Sequence, residues 1–143
     1  MLIDKAAIRQ LIPHAGSMCL IDSVSAWNVS RIDCTSESHH DPDHPLRRDG
    51  RLAALHAFEY GAQAAAIHGG LLAAKADRPV PRAWLGALRD ARMDVDRLDT
   101  IVASLEIAAV LLHSEDGNAI YRCRIAATGT TIAEARITIM RRI

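Results

Sequence analysis

The sequence has no excess of charge of either sign and very few aromatic side chains. Its 17 basic residues balance 17 acidic ones, so the net charge is zero at pH 7 when the histidines are neutral. A chain without net charge has no general electrostatic attraction for nucleic acid or anionic lipid. A charged partner would have to bind a local patch of charged side chains. We therefore expect neither nucleic acid nor a membrane among its partners.

Cysteine is also scarce, and no long apolar run is present. Cys19, Cys34 and Cys123 are odd in number and lack a Cys-x-x-Cys spacing, which argues against a disulfide framework or a thiolate zinc site. No stretch reaches the roughly 18 apolar residues of a membrane span, and the first residues lack the pattern of a signal peptide. The sequence therefore predicts a soluble cytoplasmic protein, with one domain over residues 1–143.

Patterns of apolar and polar residues predict two groups of strands around a long helix. A short helix is expected at residues 4–12, because Pro13 disfavours helix at the residue before it. Strands are expected at residues 18–27, 31–38, 83–93, 100–113, 119–128 and 131–140. Trp27 and Trp84 could pack on the helix or line a tunnel beside it, and core packing is favoured.

The most informative segment is residues 51–76, which contains no proline and is rich in alanine and leucine. As one helix it would be nearly 40 Å long at about 1.5 Å per residue. It is apolar almost all round, whereas a surface helix needs a polar half. We therefore expect a curved antiparallel sheet to wrap around it, which is an α+β fold.

The few polar residues of this helix form one stripe. His56, Glu59, Tyr60 and Gln63 are spaced at i, i+3, i+4 and i+7. A buried carboxylate needs partners or loses its charge, so Glu59 is a candidate cleft carboxylate with a shifted pKa. The stripe could equally be an exposed edge of the helix or a polar seam at a dimer interface.

Three blocks of sequence carry a family resemblance. They are IRQLIPHAGSMCLIDSV (8–24), HPLRRDGRL (44–52) and FEYGAQAAA (58–66). In this order they resemble the hot-dog-fold dehydratases that act on 3-hydroxyacyl groups carried by acyl carrier protein, and within that family a diverged, dehydratase-like subgroup. The resemblance implies a curved antiparallel sheet around a central helix, and a dimer of identical or related chains.

The resemblance also implies a site between two chains, where a loop histidine of one faces a helix carboxylate of the other. Glu59 matches that carboxylate, and Gln63 matches the glutamine of the following turn, which is expected to orient the substrate. The backbone amides of Ala54 and Leu55, near the helix start, are expected to hold the thioester oxygen. His56 is expected to contact the substrate. The implied product is a trans-2-enoyl thioester.

The histidine of the pair has several candidates in the loop SHHDPDHPLRRDG and just after it. His44 is the leading one, although it lies one residue further from Glu59 than the family histidine does. The usual His-Phe-Pro-Gly motif is absent, and a second register places Arg51 near that position. In that register His39, His40 or His56 would have to replace the base. The loop has no regular element to fix a metal, so no metal is predicted.

Arg47, Arg48 and Arg51 surround this loop. A local basic patch there would suit an acidic carrier protein and its phosphopantetheine phosphate. No cofactor is predicted, because the sequence has no phosphate-cradling glycine loop. Two other functions stay open: a thioesterase of the same fold, and a catalytically silent partner subunit or carrier-binding module.

Overall fold

The computed structural model describes residues 2–115 and 117–142, and the side chains of His14 and Ser17 lie outside that description. The helices are α1 (Lys5–Leu11) and α2 (Ala57–Lys75), with short 3-10 turns at Pro13–Met18, Ser38–His40 and Ala54–His56. The strands are β1 (Ser23–Asn28), β2 (Arg31–Ser36), β3 (Arg82–Met93), β4 (Leu105–Glu115), β5 (Asn118–Ala127) and β6 (Thr130–Arg142).

All six strands form one antiparallel sheet in the order β1-β2-β4-β5-β6-β3. Helix α2 packs against the sheet and is buried along most of its length, as its apolar composition predicts. The expected hot-dog arrangement of a sheet around one long helix is therefore confirmed. No helix among the described residues is long and apolar enough to cross a membrane.

Gly61 allows the close approach of α2 to the sheet. A Cβ atom at this position would lie 3.0 Å from the Cβ of Cys123 on β5, closer than ordinary van der Waals contact. His68, on the same side of the helix, makes two hydrogen bonds to the sheet. Its Nδ1 accepts from the Tyr121 hydroxyl and its Nε2 donates to the Asn28 carbonyl, both at 2.8 Å. These contacts fix the helix relative to β1 and β5.

The central helix begins at Ala57, six residues later than predicted. The preceding residues are used in other ways: Arg51 pairs with Arg48 in a tight turn, and Ala53 forms an isolated bridge with Arg97. The first strand likewise begins at Ser23, not residue 18, and β4 begins at Leu105, not residue 100. In each case a long-range contact holds the chain in an irregular path that local patterns do not reveal.

Strand β3 is an edge of the sheet, and no other strand among the described residues pairs with its outer side. It is 12 residues long and carries the exposed side chains of Trp84, Leu88 and Met93. Long unpaired edges with apolar side chains favour association with another strand.

Candidate functional site

Glu59, in the first turn of α2, lines a cavity of about 810 Å³. The cavity lies between α2, the segment that follows α1, and the first residues of β3. Its other lining residues are Ile12, Ala15, Met18, Ala62, Gln63, Ala66, Arg82, Ala83, Trp84, Leu85 and Arg142. The polar stripe of the helix is therefore not simply an exposed edge, because Glu59 and Gln63 line this cavity.

The environment of Glu59 favours its protonated form. Burial raises the pKa of the Glu59 carboxyl, and the hydrogen bond from Gln63 partly opposes this change. The Gln63 Nε2 donates to Glu59 Oε1 over 3.5 Å, at the limit of hydrogen bonding. A carboxyl group with a raised pKa can hold a proton nearer to neutral pH and donate it to a leaving group.

Gln63 lies beside Glu59, as the helix spacing predicts, but its amide is occupied by backbone. The Oε1 atom accepts from the Leu20 amide at 2.7 Å, and Nε2 donates to the Met18 carbonyl. Gln63 therefore anchors residues 18–20, of which Met18 forms part of the cavity wall. The predicted role of orienting a substrate would require these bonds to change.

His44 does not line the Glu59 cavity of its own chain. Its side chain is 4% exposed, and its Nδ1 accepts from the Leu46 amide at 3.1 Å. The proton is therefore on Nε2, which lies 3.1 Å from the Tyr60 hydroxyl. Burial, with a smaller contribution from Arg47, lowers the pKa of His44, so the neutral ring is favoured.

A series of hydrogen bonds nevertheless connects His44 with Glu59. The Tyr60 hydroxyl is 2.7 Å from Ser38 Oγ, which donates to the Leu20 carbonyl at 2.8 Å. Because Ser38 has a single proton, Tyr60 donates to Ser38 and His44 donates to Tyr60. The Leu20 amide then bonds to Gln63, the neighbour of Glu59. Among the described residues, this series of hydrogen bonds from His44 to Glu59 therefore passes through the backbone of Leu20.

The other candidate bases are also engaged or lie elsewhere. His39 Nε2 is 3.0 Å from both the Ile101 and the Ala103 carbonyls, and His40 Nε2 is 2.7 Å from the Ile101 carbonyl. Both side chains tie the histidine loop to the segment before β4. His56 is half-buried at the start of α2, where burial and then Arg48 lower its pKa.

The predicted oxyanion donors differ in their availability. The Ala54 amide donates to the Asp96 carbonyl at 3.0 Å, so it is not free to hold a thioester oxygen. This corrects the expectation for Ala54, and the reason is that the turn at Ala54–His56 packs against the segment after β3. The Leu55 side chain is 56% exposed at the surface, and the role of its amide stays a prediction.

Arg48 and Arg51 form the two ends of a tight turn. Their backbones exchange two hydrogen bonds of 2.8 and 2.9 Å, and Asp49 and Gly50 between them have positive φ angles of 53° and 73°, as in a type I′ turn. Directly opposed residues point to the same side of such a ladder, and both arginines are exposed. The turn therefore presents two guanidinium groups together.

Arg47 and Asp99 organise this loop, a role that the sequence did not predict for either residue. Arg47 donates to the carbonyls of His39, Asp41 and Gly50. Asp99 accepts from the Leu52 amide at 2.9 Å and pairs with Arg97, which holds the pKa of Asp99 well below its usual range. Asp99 contacts Leu52 and Arg47, both far away in sequence, so the folded structure is needed to reveal its role.

The cavity also includes Trp84. Core packing was the favoured expectation for this residue, but it is 45% exposed and lines the cavity, which was the alternative. The reason is that Trp84 lies on the edge strand, where one side lacks a neighbour. In the part of the chain that the structure describes, no three metal-binding side chains are grouped closely enough to hold a metal ion.

Comparisons with known proteins agree with this architecture. The chain is similar in structure to the dehydratase heterocomplex ApeI:P from Xenorhabdus doucetiae, with a TM-score of 0.86, 22% identity, and coverage of 95% of this chain and 91% of that chain. It is also similar to AziG from S. sahachiroi, with a TM-score of 0.64, 12% identity and coverage of 93% and 99%. A mutant thioesterase, PA1618 from Pseudomonas aeruginosa, gives a TM-score of 0.59, 13% identity and coverage of 96% and 87%.

At these identities the structural likenesses establish the fold. None of the curated proteins compared with the sequence matches it. The sequence does match the family model ApeP-like, described as ApeP dehydratase, over residues 6–142. Because this match covers nearly the whole chain, the chain belongs to the ApeP-like dehydratase family.

Proposed function

We propose that the chain is a subunit of a dehydratase that converts 3-hydroxyacyl thioesters on acyl carrier protein to trans-2-enoyl thioesters. The observation that carries this proposal is Glu59, a carboxyl group with a raised pKa that faces a largely apolar cavity. The cavity wall includes alanines at positions 15, 62, 66 and 83, and their short side chains leave room for an acyl chain.

The elimination needs an acid and a base. The base removes a proton from the carbon next to the thioester carbonyl, and the acid protonates the departing hydroxyl group. Glu59 fits the acid, because its raised pKa keeps a proton available. The Leu55 amide at the start of the helix is the proposed donor to the developing negative charge on the carbonyl oxygen.

A second chain is proposed to complete the site. Of the histidines whose side chains are described, none lines the Glu59 cavity. The cavity borders the open edge strand β3, which exposes Trp84, Leu88 and Met93. A related hot-dog chain, or a second copy, would cover this edge and bring its own side chains to Glu59. The similar structure of a dehydratase heterocomplex supports a partner subunit.

The turn of Arg48 and Arg51 is the proposed contact for the carrier protein. Two exposed guanidinium groups on one side of a turn suit the phosphate of a phosphopantetheine arm or acidic side chains of the carrier. Arg48 is close enough to His56, at the start of α2, to lower its pKa. An arm bound at this turn would therefore approach the helix from the end where Glu59 lies.

A second candidate function is a partner subunit that contributes no base. The observation in its favour is His44, which is buried, neutral and bonded at both ring nitrogens. In this case the chain would shape the site of another dehydratase subunit, and the pairing of His44 with Glu59 across two chains would be absent.

The test is a dehydration assay on carrier-bound 3-hydroxyacyl thioesters, with hydration of the enoyl product as the reverse reaction. The chain is assayed alone. It is also assayed as the complex that is purified from its source organism through an affinity tag on this chain. Glu59→Gln should lower turnover by roughly 100-fold or more, whereas Glu37→Gln, an exposed carboxylate away from the cavity, should not. Full turnover by a complex containing Glu59→Gln would contradict our proposal and support the silent subunit.

Two further readouts separate the alternatives. Release of free thiol from the acyl thioester, in place of an enoyl product, would indicate a thioesterase. His44→Asn distinguishes the two roles of His44: lost turnover with an unchanged melting temperature would support a catalytic role, and retained turnover with a lower melting temperature would support an anchoring role.

A further inference from the structure

Two arginines lie together at the edge of the Glu59 cavity. Arg82, the first residue of β3, is directly opposite Arg142, the last residue of β6, in the antiparallel ladder. Both are exposed and both line the cavity. Opposed residues of a ladder point to the same side, so the two guanidinium groups share one end of the space that Glu59 faces.

This pair differs from Arg92 and Arg136 of the same two strands, which have carboxylate partners. Arg92 pairs with Glu134 at 2.9 Å, and Arg136 pairs with Asp90 at 3.4 Å. Among residues 2–115 and 117–142, by contrast, no carboxylate lies within ion-pair distance of Arg82 or Arg142. Like charges directly opposed destabilise a sheet, whereas an anion placed between them would reverse that effect.

The pair lies at the opposite end of the cavity from the turn of Arg48 and Arg51, where the carrier protein is proposed to bind. Arg142 also lines a neighbouring groove with Gly69 and Leu72 of α2. Gly69 is about 15 Å further along the helix than Glu59, at 1.5 Å per residue. The turn of Arg48 and Arg51 lies before the helix instead. A substrate that enters at the turn and reacts at Glu59 would therefore extend its tail toward Arg82 and Arg142.

We propose that Arg82 and Arg142 select acyl groups whose far end carries a carboxylate. The guanidinium groups supply planar, bidentate donors for two carboxylate oxygens, and the alanine-lined wall accommodates the methylene chain before them. This inference rests on the proposed function for the direction of the substrate. It goes further by assigning the class of acyl group.

The test compares matched pairs of 3-hydroxyacyl chains of equal length, one ending in a methyl group and one in a carboxylate. Each is attached to phosphopantetheine through an unreactive amide, and its dissociation constant is measured by calorimetry with the complex described above. The parent should bind the carboxylate-ended analogue about tenfold more tightly or better at the optimal length, which is the effect of one good charge-assisted contact. The double variant Arg82→Gln, Arg142→Gln should reduce this ratio to near one. Arg122→Gln, an exposed arginine of β5 that does not line the cavity, is the matched control and should keep the ratio.

Each outcome decides between specific explanations. Equal affinity of the parent for the two analogues, or a ratio that survives in the double variant, would overturn the inference. Analogues on pantetheine without the phosphate test a second source of negative charge. If the double variant weakens the binding of both analogues when the phosphate is present, and of neither when it is absent, then the arginines bind the arm and not the tail. Because the analogues do not react, a chain that fails the dehydration assay but keeps the ratio would refute only the proposed reaction.

Discussion

The bonds of Gln63 lead to a prediction that can be worked out in detail. Replacing Gln63 with methionine keeps a linear side chain of similar size but removes the partners of the Leu20 amide and the Met18 carbonyl. Leaving a backbone group without a partner in the interior costs about 1–3 kcal/mol, so we expect Gln63→Met to lower the free energy of unfolding by about 2–6 kcal/mol. At about 2–4 °C per kcal/mol for a chain near this size, the melting temperature should fall by roughly 4–24 °C.

The assay is thermal unfolding, combined with hydrogen exchange at the Leu20 amide. Gln10→Met, at an exposed position of α1, is the control and should change the free energy of unfolding by less than about 0.5 kcal/mol. Exchange at Leu20 should be fast in Gln63→Met and slow in the control. A melting temperature for Gln63→Met equal to that of the parent, with slow exchange at Leu20, would refute the anchoring role.

Three shorter predictions follow from the packing. Gly61→Ala should destabilise the protein by about 1–3 kcal/mol in urea unfolding, because the new methyl group meets Cys123, and an unchanged midpoint would show that α2 can move away from β5. Burial lowers the pKa of His68, so the unfolded chain takes up a proton first and stability should decrease as the pH falls below about 6.5; His68→Gln should reduce that dependence, as measured by unfolding from pH 7.5 to 5. Asp99→Ala removes the acceptor of the Leu52 amide, at a cost of about 1–3 kcal/mol, and should speed proteolysis of the loop before α2; equal cleavage rates would contradict its organising role.

The sequence predicted the features that depend on local periodicity. An alanine-rich helix that is apolar on all sides has to be covered by other elements, and this requirement predicts the sheet around it. The proximity of Glu59 and Gln63 follows in the same way from a spacing of four residues on a helix. These predictions hold because the geometry of a helix is the same in every protein.

The features that depend on long-range contacts were not predictable. His44 is in the expected loop, but the side chain is directed to Tyr60 of the same chain by a loop that Arg47 holds in place. The Ala54 amide is engaged by Asp96, a residue far along the sequence. Arg82 and Arg142 become neighbours only through the register of β3 and β6, which alternation alone does not determine.

The position of Leu20 has a consequence for how this protein can change over evolutionary time. Its amide bonds to Gln63 and its carbonyl accepts from Ser38, so the link between the histidine loop and the helix passes through main-chain atoms. A change of side chain at position 20 leaves both groups in place, and only proline would remove the donor. The Leu20 side chain is buried in the core, so divergent relatives can exchange it only for apolar side chains of similar size. Such an exchange leaves the link intact, so an alignment would report the packing at this position and not the link.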